Sequence, residues 1–228
     1  MFIPLKDLNP RQRVPVINTF LIVANVAVFI YQLSLSAAAE KSLGYMLGMV
    51  PARVPQLLAG QGGTFREAFL PLLTSMFLHA GWLHLLGNML FLWIFGDNIE
   101  DFFGHFRYLL FYFVCGIGAG LAHTLTNLYS TVPALGASGA ISGVMGAYMV
   151  LFPRSRVLTL VFIFVVQVPA VIILGWWFVL QFLGGLETLG MRSAGGVAFW
   201  AHIGGFLVGI LLVSVSKRRA RTPGPQGM

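Results

Sequence analysis

Apolar residues dominate this chain, and they come in long runs separated by short polar breaks. After a polar, proline-bearing start, the first run extends from about Val16 to Leu35. Further runs follow at about Trp82–Ile99, Phe106–Leu128, Ser138–Phe152, Arg156–Phe182 and Val197–Ser216. Most approach or exceed the ~20 residues an α-helix needs to cross a bilayer. The pattern predicts six membrane helices, with Pro169 kinking the fifth. The fourth is short for a span, so its start is expected below the outer surface, against protein or water. Residues 37–81 form a long connection with Gly, Pro and scattered charge. Its apolar patches, Leu57-Leu58 and Phe69-Leu70 among them, predict a folded segment partly sunk into the membrane interface. A division follows: residues 1–15 as a cytoplasmic segment, 16–216 as the membrane domain, and 217–228 as a basic cytoplasmic tail.

Composition agrees. The chain is 57% hydrophobic and 9% charged, where a soluble domain carries about a quarter charged residues. The net charge of +7 does not form a stripe suited to nucleic acid. The basic residues flank apolar runs instead, as topology signals and contacts to anionic lipid. Ten of the 14 Lys and Arg residues fall on the side of the termini, which predicts cytoplasmic termini. A basic start, an apolar run and Ala37-Ala38-Ala39 also imitate a signal peptide. The run is long for that role, and its removal would leave an odd number of spans. An N-terminus without presequence character suggests a prokaryotic cytoplasmic membrane. Cys115 has no cysteine partner in the chain and reads as a small buried hydrophobe.

Candidate chemistry lies at three places. Gly136-Ala137-Ser138-Gly139 puts a serine hydroxyl at the start of the fourth helix, where free backbone N–H groups point outward. Ala201-His202-Ile203-Gly204-Gly205 puts a histidine on the sixth. Gly139 and Gly143 on one helix, and Ala201, Gly205 and Gly209 on the other, make small-residue faces that let membrane helices approach closely. If those faces pack together, Ser138 and His202 come within hydrogen-bond reach, as nucleophile activation requires. The same faces also serve packing alone. No carboxylate stands near either residue, so any catalytic unit is a dyad. His84 and Asn88 share a face of the second helix. They either donate hydrogen bonds to an oxyanion or satisfy backbone carbonyls of a re-entrant loop. His79 is expected to brace the loop entering that helix, and His105 and His123 to be structural. No zinc motif is present and no acidic or cysteine ligand sits at suitable spacing, so no metal is expected. Two intramembrane aspartates for an aspartyl protease are also lacking.

Taken together, His79-Ala80-Gly81-Trp82-Leu83-His84-Leu85-Leu86-Gly87-Asn88, Phe95-Gly96-Asp97-Asn98-Ile99-Glu100-Asp101, Gly136-Ala137-Ser138-Gly139 and Ala201-His202-Ile203-Gly204-Gly205 resemble, in order and spacing, the rhomboid family of intramembrane serine proteases. The resemblance implies an all-α six-helix bundle with the long loop after the first helix partly embedded. It implies Ser138 as nucleophile and His202 as general base. His84, Asn88 and the Ser138 N–H would hold the oxyanion. The fifth helix and residues 183–196, with Trp176 and Trp177, would form the substrate gate. The implied substrates are membrane-spanning proteins, cut near the outer end of their helix without cofactor. Some family members carry a tyrosine four residues after the serine, packed on the histidine. Ser142 stands there in this chain, leaving its own hydroxyl or an aromatic from a neighbouring helix to fix His202. A non-catalytic relative that binds or escorts membrane clients is the alternative, and a transporter is disfavoured by the lack of an inverted repeat. Neither the substrate nor the oligomeric state follows from the sequence.

Overall fold

A computed structural model describes residues 2–188 and 197–221. Six long helices are present among the described residues: α1 (Val16–Leu33), α6 (Trp82–Phe103), α7 (His105–Thr126), α8 (Ser138–Leu151), α9 (Ala170–Thr188) and α10 (Phe199–Arg221). The connection after α1 is folded, as its apolar patches predict. It contains α2 (Ala37–Leu47), α3 (Arg53–Leu58), α4 (Phe65–Phe69), α5 (Pro71–Thr74) and a 3-10 turn over Ser75–Phe77. Helices α1, α7, α9 and α10 are each long and apolar enough to span a membrane. Helix α6 carries Asp97, Glu100 and Asp101, and meets that test only jointly with Phe65–Phe77, from which it bends by 80°.

The sequence reading is corrected at the fifth span. Residues 156–169 are not helical. They form a hairpin, β2 (Arg156–Val161) and β3 (Phe164–Pro169), and the helix begins only at Ala170. Strand β1 (Phe2–Asp7) pairs antiparallel with β2, giving a three-stranded sheet in the order β1-β2-β3. The reason is local chemistry. Val157, Thr159, Val161, Ile163, Val165, Val166 and Val168 are β-branched and favour a pleated backbone. Hydropathy alone does not separate such a run from a helix. Pro169 closes the strand and does not kink a helix. Helix α10 also runs to Arg221 instead of ending at Ser216, so the expected tail boundary at 217 falls inside a helix.

Helix α8 sits at the centre, and every residue from Gly139 to Tyr148 is buried. Its 14 residues make about 21 Å of helix, against about 30 Å of hydrocarbon. A helix anchored at one membrane boundary therefore ends inside the bilayer. It packs against α6, α7 and most closely α10. At the α8–α10 contact a methyl added at Gly205 would lie 2.0 Å from the Gly139 carbonyl oxygen, and one at Gly209 would lie 2.0 Å from that of Gly143. The backbones therefore touch, as the small-residue faces predict. Cys115 is buried against Gly143.

Polar side chains tie α1 to this core. Glu100 is wholly buried and accepts from the Ile17 and Asn18 amides at 2.9 and 2.7 Å, two of the free N–H groups at the start of α1. Asp101 accepts from the amides of Gln12 and Arg13, and Asp97 pairs with Arg11 at 2.9 Å. The acidic cluster ending α6 is thus a clamp on the N-terminal segment. His105, expected to be structural, contacts Glu100. Tyr108 donates to Asn18, and Gln32 exchanges two hydrogen bonds with the His79 backbone. That pair braces the loop entering α6, as expected of His79.

Candidate active site

The serine loop is held from below. The Gly136 N–H donates to the Ser75 carbonyl at 2.9 Å, and Met49 and Ala134 form a β-bridge. Gly136 takes φ +122°, and a side chain there would collide with His84 Nε2 at 2.6 Å. Only glycine lets the loop turn into α8 with the imidazole of His84 directly above it. Ser138 is then the first residue of α8, and its N–H belongs to the unpaired amides of a helix N-terminus.

Ser138 Oγ and His202 Nε2 are 2.8 Å apart. The α8–α10 contact brings the two residues together across 64 positions of sequence. The other imidazole nitrogen, Nδ1, lies 2.7 Å from Gln181 Oε1 on α9. The Trp177 ring, one turn earlier on α9, stands 5.8 Å from the imidazole centroid at 38°. The sequence offers Ser142 or a neighbouring aromatic to fix His202. Trp177 fills the second role. Ser142 is turned away, donating to the Ser138 carbonyl at 2.6 Å. Gln181 went unnoticed, although a lone amide in an apolar span is itself a signal.

The four expected site residues line one cavity of about 640 Å³. His84 and Asn88 enter it from α6, adjacent to Gly136. His84 Nδ1 accepts weakly from the Ala80 amide at 3.4 Å. In a neutral ring that leaves the proton on Nε2, the nitrogen facing Gly136. Asn88 Nδ2 is buried and has no hydrogen-bond partner. A buried unpaired donor is costly, and this one lies 3.7 Å from where a side-chain carbon on Gly136 would sit, on a residue that lines the same cavity as Ser138. His123, read as structural, also lines the cavity, with Nδ1 3.4 Å from Asn127 Nδ2. Of the expected gate segment, residues 189–196 lie outside the described residues. Among the described residues no three His, Cys, Asp or Glu side chains are grouped so that they could hold a metal ion.

The chain matches the Rhomboid domain over residues 66–219, more than half its length. It belongs to the rhomboid family. It is 32% identical over 162 residues to rhomboid protein 1, mitochondrial, of Saccharomyces cerevisiae, covering 64% of this chain and 43% of the yeast protein. It is 35% identical over 145 residues to RHOMBOID-like protein 6, mitochondrial, of Arabidopsis thaliana, covering 62% and 41%. It is 42% identical over 78 residues to the rhomboid protease GluP of Bacillus subtilis, covering 34% and 15%. The match thus spans less than half of each of these relatives. The chain is a multi-pass membrane protein, and the rhomboid bundle accounts for the order of its helices.

Proposed function

We propose that this rhomboid is an intramembrane serine endopeptidase that cleaves membrane-spanning proteins near the outer end of their helix. The observation that carries the reading is the 2.8 Å contact between Ser138 Oγ and His202 Nε2, at a helix N-terminus and in a cavity. His202 takes the Ser138 proton as Oγ attacks the scissile carbonyl, and then gives it to the leaving amine. The carbonyl oxygen, now an oxyanion, takes the vacant hydrogen bond of Asn88 Nδ2, with His84 Nε2–H and the Ser138 N–H beside it. Water then resolves the acyl-enzyme by the same route. Substrate enters beside α9, and the cut requires its helix to unwind locally, since a helical carbonyl is shielded. Residues 1–15 and 217–228 face the cytoplasm in this reading. Charge sorting supports the cytoplasmic termini; the prokaryotic membrane expected from the N-terminus gains no support from the named relatives, which include mitochondrial proteins.

Purified protein in liposomes, given a single-span test substrate, decides the matter. Wild type, Ser138→Ala and His202→Ala are compared with and without a chelator, and each is labelled with a fluorophosphonate. The expected result is cleavage and labelling by wild type only, unaffected by the chelator. Equal cleavage by all three refutes the dyad. Absence of both cleavage and labelling in the wild type favours the alternative, a rhomboid that binds or escorts membrane clients.

A further inference from the structure

We propose that Gln181 is the positioning residue of His202, holding the imidazole in the tautomer that makes it a base. The catalytic consequence rests on the peptidase reading above, but the tautomer itself does not.

A neutral imidazole has one donor nitrogen and one acceptor nitrogen. An amide oxygen only accepts. With Gln181 Oε1 2.7 Å from Nδ1, the proton belongs on Nδ1. Nε2 then carries the lone pair, and the 2.8 Å contact with Ser138 runs from the serine hydroxyl to the ring. That is the polarity a general base needs. The opposite tautomer reverses the bond: Nε2–H donates to Oγ, and the serine keeps its proton. In water the Nε2–H form of histidine is the favoured one, so the productive form needs an outside bias. Nothing else described on α8 or α10 supplies it, because the Ser142 hydroxyl is committed to the Ser138 carbonyl.

The choice of an amide follows from the medium. Helix α9 is apolar from Ala170 to Leu180, and both neighbours of Gln181, Leu180 and Phe182, are exposed on its outer surface. An ionised carboxylate here would need a cation or several donors to offset desolvation. A neutral amide places an acceptor on Nδ1 at far lower cost. Trp177, four residues earlier, falls on the same face and stands against the ring. α9 thus presents an acceptor and a flat wall to one imidazole. The two together fix the tautomer and the ring plane. A helix displacement of about 1 Å would lengthen the 2.7 Å bond beyond hydrogen-bond range, so the seating of α9 and the readiness of His202 are coupled.

Histidine-selective 15N labelling in detergent micelles or nanodiscs reads the tautomer directly, with the His202 signals assigned from the His202→Ala spectrum. The expected wild-type pattern is a protonated Nδ1 and an unprotonated Nε2. In Gln181→Leu, similar in volume but without the acceptor, the population moves to Nε2–H. Gln181→Glu, which keeps an acceptor oxygen at the same reach, retains Nδ1–H. In parallel, Gln181→Leu lowers kcat up to about tenfold, the population change one hydrogen bond produces, with KM unchanged. Gln181→Glu recovers most of the loss. A wild-type His202 already in the Nε2–H form overturns the proposal, as does a Gln181→Leu spectrum unchanged from wild type. A variant that lowers the melting temperature without moving the tautomer shows a packing role only, and overturns it too. If Ser138→Ala cleaves as wild type does, the peptidase reading has failed, while the 15N spectra still decide the role of Gln181.

Discussion

Replacing Gly205 by alanine tests how finely the α8–α10 contact sets the geometry of the proposed catalytic pair. The new methyl would lie 2.0 Å from the Gly139 carbonyl oxygen and 2.9 Å from its carbon, where real side-chain carbons do not come within 3.0 Å. The obstacle is helix backbone, which cannot rotate away as a side chain does. α10 must therefore retreat by about 1 Å. His202 lies three residues before Gly205, on the neighbouring turn, and moves with it. Its 2.8 Å bond to Ser138 then stretches to about 4 Å, outside hydrogen-bond range. A misplacement of about 1 Å at a reacting pair costs roughly 100-fold in rate, or about 2.7 kcal/mol of barrier. Overpacking itself costs about 1–3 kcal/mol of stability, which leaves a folded protein to assay. Gly175→Ala on α9 is the control. Nothing lies within 4 Å of a methyl there, so alanine adds helix propensity, up to about 1 kcal/mol, and leaves the rate unchanged. The assay is the initial rate on a single-span substrate in liposomes, with fluorophosphonate labelling and thermal unfolding of the same preparations. A Gly205→Ala variant within twofold of the wild-type rate would refute the reasoning, because the helices would have absorbed the methyl without moving the site.

Three further outcomes are expected. Glu100→Ala strips the buried acceptor from two α1 amides. Unfolding of the protein in micelles should show a loss of roughly 2–4 kcal/mol, and Glu100→Gln should retain part of it. Asn88→Ala removes the unpaired donor in the cavity. It should lower kcat by roughly 100-fold with little change in KM, and an unchanged kcat would exclude Asn88 from the proposed oxyanion site. Asp7 is pushed up from 3.8 to about 6, first by burial and then by the nearby Asp97, against a hydrogen bond from Tyr148. The folded protein therefore binds that proton more tightly than the unfolded chain. The stability this contributes is complete below about pH 4 and is lost as pH rises through about 6. Asp7→Asn cannot ionise, so its melting temperature should gain on wild type between about pH 4 and pH 7. Parallel curves for the two proteins would contradict this.

The parts of the molecule that the sequence reveals are those whose cause is local. An apolar run bounded by charge becomes a membrane helix wherever it lies. Hence α1, α6, α7, α8 and α10 start within a few residues of their expected positions. The meeting of Ser138 and His202 is legible for a related reason: small-xxx-small faces say which helix surfaces meet, and the two polar groups ride on their edges. The hairpin at 156–169 was hidden because hydropathy treats valine-rich strand and helix alike, and because its partner, β1, lies about 150 residues upstream. The acidic end of α6 was legible as charge but not as a clamp, since its partners at positions 11–18 lie more than 80 residues away.

Gln181 marks the most instructive gap. Spacing offers no reason to join it to His202, yet its place in an apolar span offers one, because an amide there must find a partner. The same argument applied to α1 singles out Asn18, Asn25 and Gln32, all buried and seven residues apart. Asn18 binds the Leu92 carbonyl and the Tyr108 hydroxyl, and Gln32 holds the His79 backbone. Asn25 turns back to the Leu21 carbonyl of its own helix. Of these four intramembrane amides, three bridge to another element, two fastening α1 and one serving the candidate base. In lipid, where apolar packing gives little reason for one helix to prefer another, such a residue is the better guide to which elements must touch. The chemistry of its partner then separates a fastening from a site: a backbone carbonyl or a buried tyrosine for α1, an imidazole facing a serine for α9.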